Sequence, residues 1–465
     1  SAASDVYKRQ IIYLYDYDIF LERKVSDMSS SAKHLRSIDA GHYKNTAQCA
    51  TETAPIPDIV KIPMSQHIGK PCQPLVAKGD TVKVGQPIGD VDAFISAPIH
   101  SSVSGTVKGI ETQRNAMGGY DTLVVIETDK KQELWEELKV PEVHNLAEFV
   151  AAVRDSGLVG MGGASFPTHV KYNPKNIDEV DTLIVNGAEC EPFITSDHRC
   201  MLEDTQDIID GMKLIMKYLD LKVAYIGIEA NKPDAIEKFD RMFKEQGITN
   251  MHTFKLLSRY PKGAERVLVY EITGKPMKAG VLPADLGIIL SNVSSVAFVG
   301  QYFRTGIPLT MKRLTVDGDA ITTPKNIVTP IGTQIKDVVA FCGGYKTEPK
   351  KIIMGGPMMG RAIPSDSFGI IKNNNAILAF SSTKTNIPEE TPCINCGRCH
   401  MGCPINLLPT GFADAYLAGD AQRLSDLQIM QCMECGSCSF VCPARRPLAF
   451  YNKLGKALVR EAGIK

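Results

Sequence analysis

The chain has 465 residues, 44% of them hydrophobic and 22% charged, with Lys+Arg and Asp+Glu balanced at 52 each. That length suggests about three domains of roughly 150 residues, and a neutral chain exerts no bulk pull on nucleic acid, which is excluded as a partner class. No uninterrupted apolar run reaches the ~18 residues a membrane span needs, so no transmembrane segment is expected and any membrane association must go through a partner.

Residues 1–27 stand apart. The stretch DVYKRQ, Asp5 to Gln10, resembles a translated sequencing adapter. Residues 1–27 are therefore expected to be non-native or disordered, with Met28 a candidate start and 28–58 an N-terminal extension. Residues 59–129 are short β runs punctuated by Gly and Pro, with Val82, Val84 and Ile88 as half-buried strand positions. The run from Val76 to Glu111 resembles the barrel-sandwich hybrid fold of lipoyl and biotinyl carriers. A carrier needs a lysine at its hairpin tip, and Asp90-Val91-Asp92-Ala93-Phe94 has none. A structural or docking module is the expectation.

The period changes over residues 130–305. The spacing predicts a helix in HNLAEFVAAVRDSG, a strand at 181–187, a helix at 205–219 and a strand at 222–229. A further helix follows over 231–247, with Asn231 as N-cap, Pro233 in the first turn and Gly247 as C-cap. Strand and helix in alternation argue for α/β architecture with a largely parallel sheet. Residues 306–378 return to short β segments, and GGPMMG (355–360) reads as a tight turn in a small β-grasp-like domain, without the Gly-Lys-Ser/Thr of a phosphate loop. Residues 379–465 hold a polar linker, a cysteine-rich segment, and helices expected over 411–430 and after Pro447.

Eight of the 13 cysteines form two copies of C-x2-C-x2-C-x3-C-P, at 393–404 and 432–443. The other five are scattered, and with no secretory signal the thiols are expected to be reduced. Zinc sites show ligand pairs, often with His. The triple x2 spacing followed by Pro is instead the bacterial ferredoxin run for 4Fe–4S clusters, in which the fourth cysteine serves the other cluster. One cluster is expected on Cys393, Cys396, Cys399 and Cys442, and a second on Cys432, Cys435, Cys438 and Cys403. His400 is expected to be surface filler.

Two further motifs suggest a nucleotide. GLVGMGGASFPTHVK (157–171) packs Gly160, Gly162 and Gly163 but has Ser165 where a dinucleotide fingerprint wants Gly. Such a loop lets backbone approach a ring or phosphate, with Lys171 as a cation for phosphate, or it is a plain turn. VNGAECEPFITSDHR (185–199) follows a strand end, where open α/β sheets place ligands, and clusters Asn186, Glu189 and Glu191. Asp197, His198 and Arg199 read as solvated or capping residues.

Together GMGGASFPTHVK and NGAECEPFITSDHR resemble the flavin- and NADH-binding domain shared by the NADH-oxidising subunit of respiratory complex I and the RnfC subunit of the Rnf complex. The hybrid segment upstream, GTQIKDVVAFCGGY…GGPMMG and the two cysteine repeats match RnfC in order, over about residues 55–450. The resemblance implies a barrel-sandwich hybrid, an α/β FMN/NAD domain, an SLBB β-grasp-like domain and a helical two-cluster ferredoxin domain. It implies that Gly160, Gly162, Gly163 and Lys171 lie in the loop holding FMN, and that Asn186 and Glu189 contact the flavin and ribityl chain. Phe166 and Glu191 would lie beside the nicotinamide nucleotide, with Glu229 and Asn292 at later FMN-site positions. Ser165 and Ala188 depart from the complex I pattern, and AGHYKNT (40–46) only approximates the Gly-Gly-His-Pro-like N-terminal motif of RnfC.

Nicotinamide moves hydride, a cluster moves single electrons, and a flavin converts between them. The implied activity is ferredoxin:NAD oxidoreduction linked to ion translocation. Implied cofactors are FMN and two 4Fe–4S clusters, with NAD(H) as substrate. Implied partners are the membrane subunits of the Rnf complex, with ferredoxin reached through another subunit, at the cytoplasmic face of the bacterial cell membrane. Three alternatives compete: a soluble cobalamin reductase of similar make-up, an electron conduit that has lost nicotinamide chemistry, and a scaffold with structural zinc.

Overall fold

A computed structural model describes residues 35–115, 118–382, 385 and 389–464. The adapter-like stretch lies outside the described residues. The hybrid module folds as two small antiparallel sheets. One contains Ile59–Pro63, Tyr120–Thr128, Gly105–Arg114 and Thr81–Val82, and the other Gln73–Pro74, Pro87–Asp90 and Ile99–His100. Alternation along Ile59–Pro63 sends Val60 and Ile62 into a core shared with Val82, Ile88 and Val124. Phe94, beside the lysine-free tip, is exposed.

The α/β unit is built on a four-stranded, all-parallel sheet in the order Met251–Leu256, Val223–Glu229, Thr182–Gly187, Ile288–Asn292. Such a sheet is covered on both faces, and its strands read as near-continuous apolar runs. The helices Thr205–Tyr218 and Val293–Thr305 pack on one face around Ile208, Met212, Val296 and Val299. Their closeness comes from glycine on both sides. A Cβ at Gly211 would overlap the Val296 carbonyl, and one at Gly300 would overlap the Asp207 carbonyl.

The helix after Val223–Glu229 runs Pro233–Glu245, and its N-cap is Lys232, not Asn231. Asn231 cannot cap because its amide oxygen is turned to the Lys232 ammonium, at 3.3 Å. Gly247 stands one residue beyond the C-cap Gln246, with φ +64°, where a left-handed residue ends the helix. The expected helix over 411–430 is two helices, Pro409–Leu417 and Ala421–Asp426, parted at Gly419 (φ +69°) and restarted by the Asp420 side chain on Arg423 N.

The β-grasp unit is a six-stranded sheet with the helix Ile335–Phe341. Its edge strand, Glu52–Thr53, comes from the N-terminal segment and pairs in parallel with Lys325–Pro330. GGPMMG joins the antiparallel strands Lys351–Met354 and Arg361–Ile363 as a turn. No helix among the described residues is long and apolar enough to cross a membrane. Gly211→Ala should destabilise the chain by about 1–3 kcal/mol through overpacking against backbone that cannot yield, seen as a lower urea midpoint at unchanged slope. The better helix propensity of Ala offsets less than about 1 kcal/mol of that.

Candidate functional site

From Thr182–Gly187 the parallel sheet steps through two strands to one side, and then its last strand returns to the other. The order therefore reverses between Thr182–Gly187 and Ile288–Asn292. Ligands of open α/β sheets bind beyond the carboxyl ends of the strands at such a point. Asn186 and Asn292 face each other there in register, and Glu229 ends the neighbouring strand.

The glycine loop lies against this edge. The Gly160 N–H donates to the Phe166 carbonyl at 2.9 Å, closing the turn. A Cβ at Gly162 would stand 3.0 Å from Asn292 Nδ2, so glycine permits the approach. Gly163 (φ +157°) faces open space, where a Cβ would meet nothing within 4 Å. Ser165 holds φ +55°, a left-handed conformation that glycine adopts without strain. Lys171 does not project as a phosphate cation. Its Nζ donates to the Leu290 carbonyl at 2.7 Å, and burial lowers its pKa.

The acidic groups after Thr182–Gly187 are spent on neighbouring loops. Asn186 Nδ2 donates to the Gly263 carbonyl at 2.9 Å. The Glu189 carboxylate accepts from Asp197 N (2.6 Å) and His198 N (3.1 Å), capping the helix Ser196–Glu203. Glu191 accepts from Met358 N (3.0 Å) and Met359 N (2.9 Å), so GGPMMG delivers its N–H groups to a carboxylate. A Cβ at Gly356 would overlap that carboxylate. Burial pushes the Glu191 carboxyl up to about 7, against those N–H groups. Glu229 pairs with Lys232 at 2.8 Å, both buried.

Asp197 and His198 are not solvated. Asp197 accepts from Asn292 Nδ2 (2.8 Å) and Ser294 Oγ (2.6 Å), and His198 Nε2 meets Asp234 at 2.9 Å. Asp197 thus ties the strand end at Asn292 to the loop of Glu189. No local pattern marks it, because its partner is 95 residues away.

The eight repeat cysteines surround two cavities. Cys393, Cys396, Cys399 and Cys442 line one of about 230 Å³, and Cys403, Cys432, Cys435 and Cys438 line the other. Each set draws three thiols from one repeat and the fourth from the other. The backbone repeats too. Asn395 and Glu434 are left-handed (φ +54° and +57°), as are Gly397 and Gly436, which each start a short helix carrying the third cysteine. Those turns aim Asn395 N at Cys393 Sγ and Glu434 N at Cys432 Sγ, both at 3.4 Å. Leu407 N and Asn452 Nδ2 donate likewise to Cys403 and Cys432. N–H donors on sulfur and an apolar wall are what a thiolate-held cluster needs. The all-cysteine donor sets, with N–H groups on their sulfurs, fit thiolate-held clusters. His400 is more than filler: its Nδ1 meets the Leu407 carbonyl at 2.9 Å and it lines the first cavity.

The two sets differ in exposure. The difference lies at Cys396, which is exposed; Cys393, Cys432 and Cys435 are partly buried, the other four are buried, and burial pushes the Cys435 thiol up to about 11. The buried set adjoins the α/β unit. Tyr260 Oη donates to the Cys435 carbonyl at 2.6 Å, and its ring packs with Cys190, Met358 and Phe440. The Gln431 carbonyl accepts from Arg266, and the Gln431 side chain accepts from Ala279 N. Glu191→Ala should cost about 1–3 kcal/mol by leaving two loop N–H groups unpaired. Glu191→Gln, whose amide oxygen still accepts, should cost less in the same denaturation experiment.

Family models match the chain in four successive pieces. They are an RnfC barrel sandwich hybrid domain at 36–131, a Nuo51 FMN-binding domain at 153–301, an SLBB domain at 313–362 and a 4Fe-4S dicluster domain at 392–445. FMN and 4Fe–4S clusters are thus the cofactors of these domains. The chain is 44% identical to the C subunit of the proton-translocating ferredoxin:NAD(+) oxidoreductase complex of Clostridium ljungdahlii, over 79% of this chain and 80% of the relative. It is 38% identical to the Na(+)-translocating counterpart of Acetobacterium woodii, over 80% and 84%. It is 37% identical to the C subunit of the ion-translocating oxidoreductase complex of Rhodobacter capsulatus, over 90% and 82%. With identities of 37–44% over more than two thirds of both chains, the chain belongs to the RnfC family, the C subunits of the Rnf ferredoxin:NAD(+) oxidoreductase complexes.

Proposed function

We propose that this chain is the NAD(H)-facing electron-transfer subunit of a membrane-bound, ion-translocating ferredoxin:NAD oxidoreductase. When bound, FMN would exchange hydride with NAD(H) and pass electrons singly to two 4Fe–4S clusters. The observation that carries the reading is the sorting of eight cysteines into two cross-strung sets, the buried one against the α/β unit through Tyr260 and Cys435.

The chain's own groups divide the work. The backbone of Gly160, Gly162 and Gly163 offers a side-chain-free surface at the strand-order reversal for the flavin and its phosphate, with Phe166 flanking it. Asn186, Glu189, Glu229 and Asn292 shape that surface from the strand ends, Lys171 braces it from below, and Glu191 links it to the GGPMMG turn. Cys403, Cys432, Cys435 and Cys438 hold the cluster nearer the flavin site, against the α/β unit. Cys393, Cys396, Cys399 and Cys442 hold the outer one, where Cys396 is exposed and a partner can approach.

On this reading the partners are the membrane subunits of the complex, ferredoxin is reached through one of them, and the chain sits peripherally at the cytoplasmic face. The full chain, purified anaerobically and supplied with FMN, should contain about eight iron atoms and about one flavin. NADH should bleach the flavin and reduce the clusters. Iron without bleaching would contradict nicotinamide chemistry here, and no iron under anaerobic handling would contradict the whole reading.

A further inference from the structure

The loop Ala188–Ile194 leaves the strand end Asn186–Gly187 and carries Glu189 and Glu191. It is curled round a cation from a distant part of the chain. Lys44 Nζ donates to the carbonyls of Glu189 (2.8 Å), Glu191 (2.9 Å) and Ile194 (2.6 Å). An ammonium has three N–H donors and no acceptor, so all three are used, and all on backbone. The curl forces Glu189 and Phe193 to φ +50° and +70°, conformations that non-glycine residues rarely adopt. Because a trans peptide opposes its C=O and N–H, turning the Glu189 carbonyl to Lys44 turns the Cys190 N–H away from it.

The segment around Lys44 fastens the same loop. The His42 carbonyl accepts from Phe193 N at 3.0 Å, and the Tyr43 ring stacks on Phe193 at 5.0 Å and 9°. Thr46 Oγ1 meets Thr195 Oγ1 at 2.6 Å. Residues 42–46 thus form a strap across the back of the flavin-site loop, with Lys44 its one cationic side chain. No carboxylate oxygen shares its three hydrogen bonds. Burial lowers the Lys44 pKa, Glu189 and Glu229 oppose that shift, and the neighbouring Lys232 adds to it.

We propose that Lys44 is a positioning residue for the flavin site. It fixes the loop in its strained curl and holds a positive charge behind it that favours the reduced, more negative flavin. This rests on the placement of FMN at the strand-order reversal. A protein charge near the flavin ring tunes its electronics, and partial burial strengthens such an effect beyond its value in water.

The test is the midpoint potential of FMN bound to the full chain, by anaerobic spectroelectrochemistry, in wild type, Lys44→Arg and Lys44→Gln. Glutamine keeps N–H donors for the carbonyls without the charge, and arginine keeps the charge. The expected result is a more negative flavin potential in Lys44→Gln, a raised KM for NADH, and a potential near wild type in Lys44→Arg. Equal potentials in wild type and Lys44→Gln would overturn the proposal while leaving the flavin assignment standing. Should Lys44→Gln fail to fold, a wild-type-like Lys44→Arg potential supports the role of charge and a strongly lowered one refutes it. Failure of the wild type to bind FMN would instead strike the site assignment itself.

Discussion

The hydrogen bond from Tyr260 to the Cys435 carbonyl is where a nucleotide-type sheet and a ferredoxin-type segment become one device. Here the buried ring of Tyr260 belongs to the same apolar cluster as Cys190 of the strand-end loop, and its hydroxyl is anchored on the Cys435 carbonyl. Arg266 and Ala279 clamp Gln431 just upstream, and Met358 reaches Gly436 from the β-grasp turn that also binds Glu191. Three units thus meet at one buried seam, which sets the separation between the two kinds of redox site.

The cysteine segment adds direction through burial. Its two halves have nearly the same backbone, left-handed residues included, yet one set lies against the seam and the other opens outward at Cys396. Solvent exposure and hydrogen bonds to sulfur set cluster potentials. The Asn452 amide reaches Cys432, and Lys456 bonds the Cys432 carbonyl at 2.6 Å. Pseudo-symmetric cysteine placement with asymmetric surroundings gives two cavities that differ in environment without differing in donor type.

Much of this is legible in the sequence because its determinants are local. The cysteine spacing encodes which thiols share a cavity, since a tight loop presents three thiols and leaves the fourth beside the other repeat. The parallel sheet follows from alternating strand and helix periods. Contacts between distant segments are not legible. Lys171 reads as a phosphate cation because nothing nearby says that Leu290 will offer it a carbonyl. Asp197 reads as solvated or capping because Asn292 and Ser294 arrive from another strand and helix. GGPMMG is the turn its glycines suggest, but its reason for being glycine-rich, the close approach of Glu191, lies in tertiary packing. Residues 42–46, only an approximate motif match, emerge as a strap once Phe193 and Thr195 are in place.

The most direct test of the central claim is rapid mixing of NADH with the anaerobic full chain carrying Cys435→Ala, followed by low-temperature electron paramagnetic resonance. If electrons cross the Tyr260 seam into the buried set first, the flavin bleaches as in wild type while the cluster on Cys393, Cys396, Cys399 and Cys442 stays oxidised. Reduction of that outer cluster at the wild-type rate would contradict the account, because electrons would then reach it without the buried set.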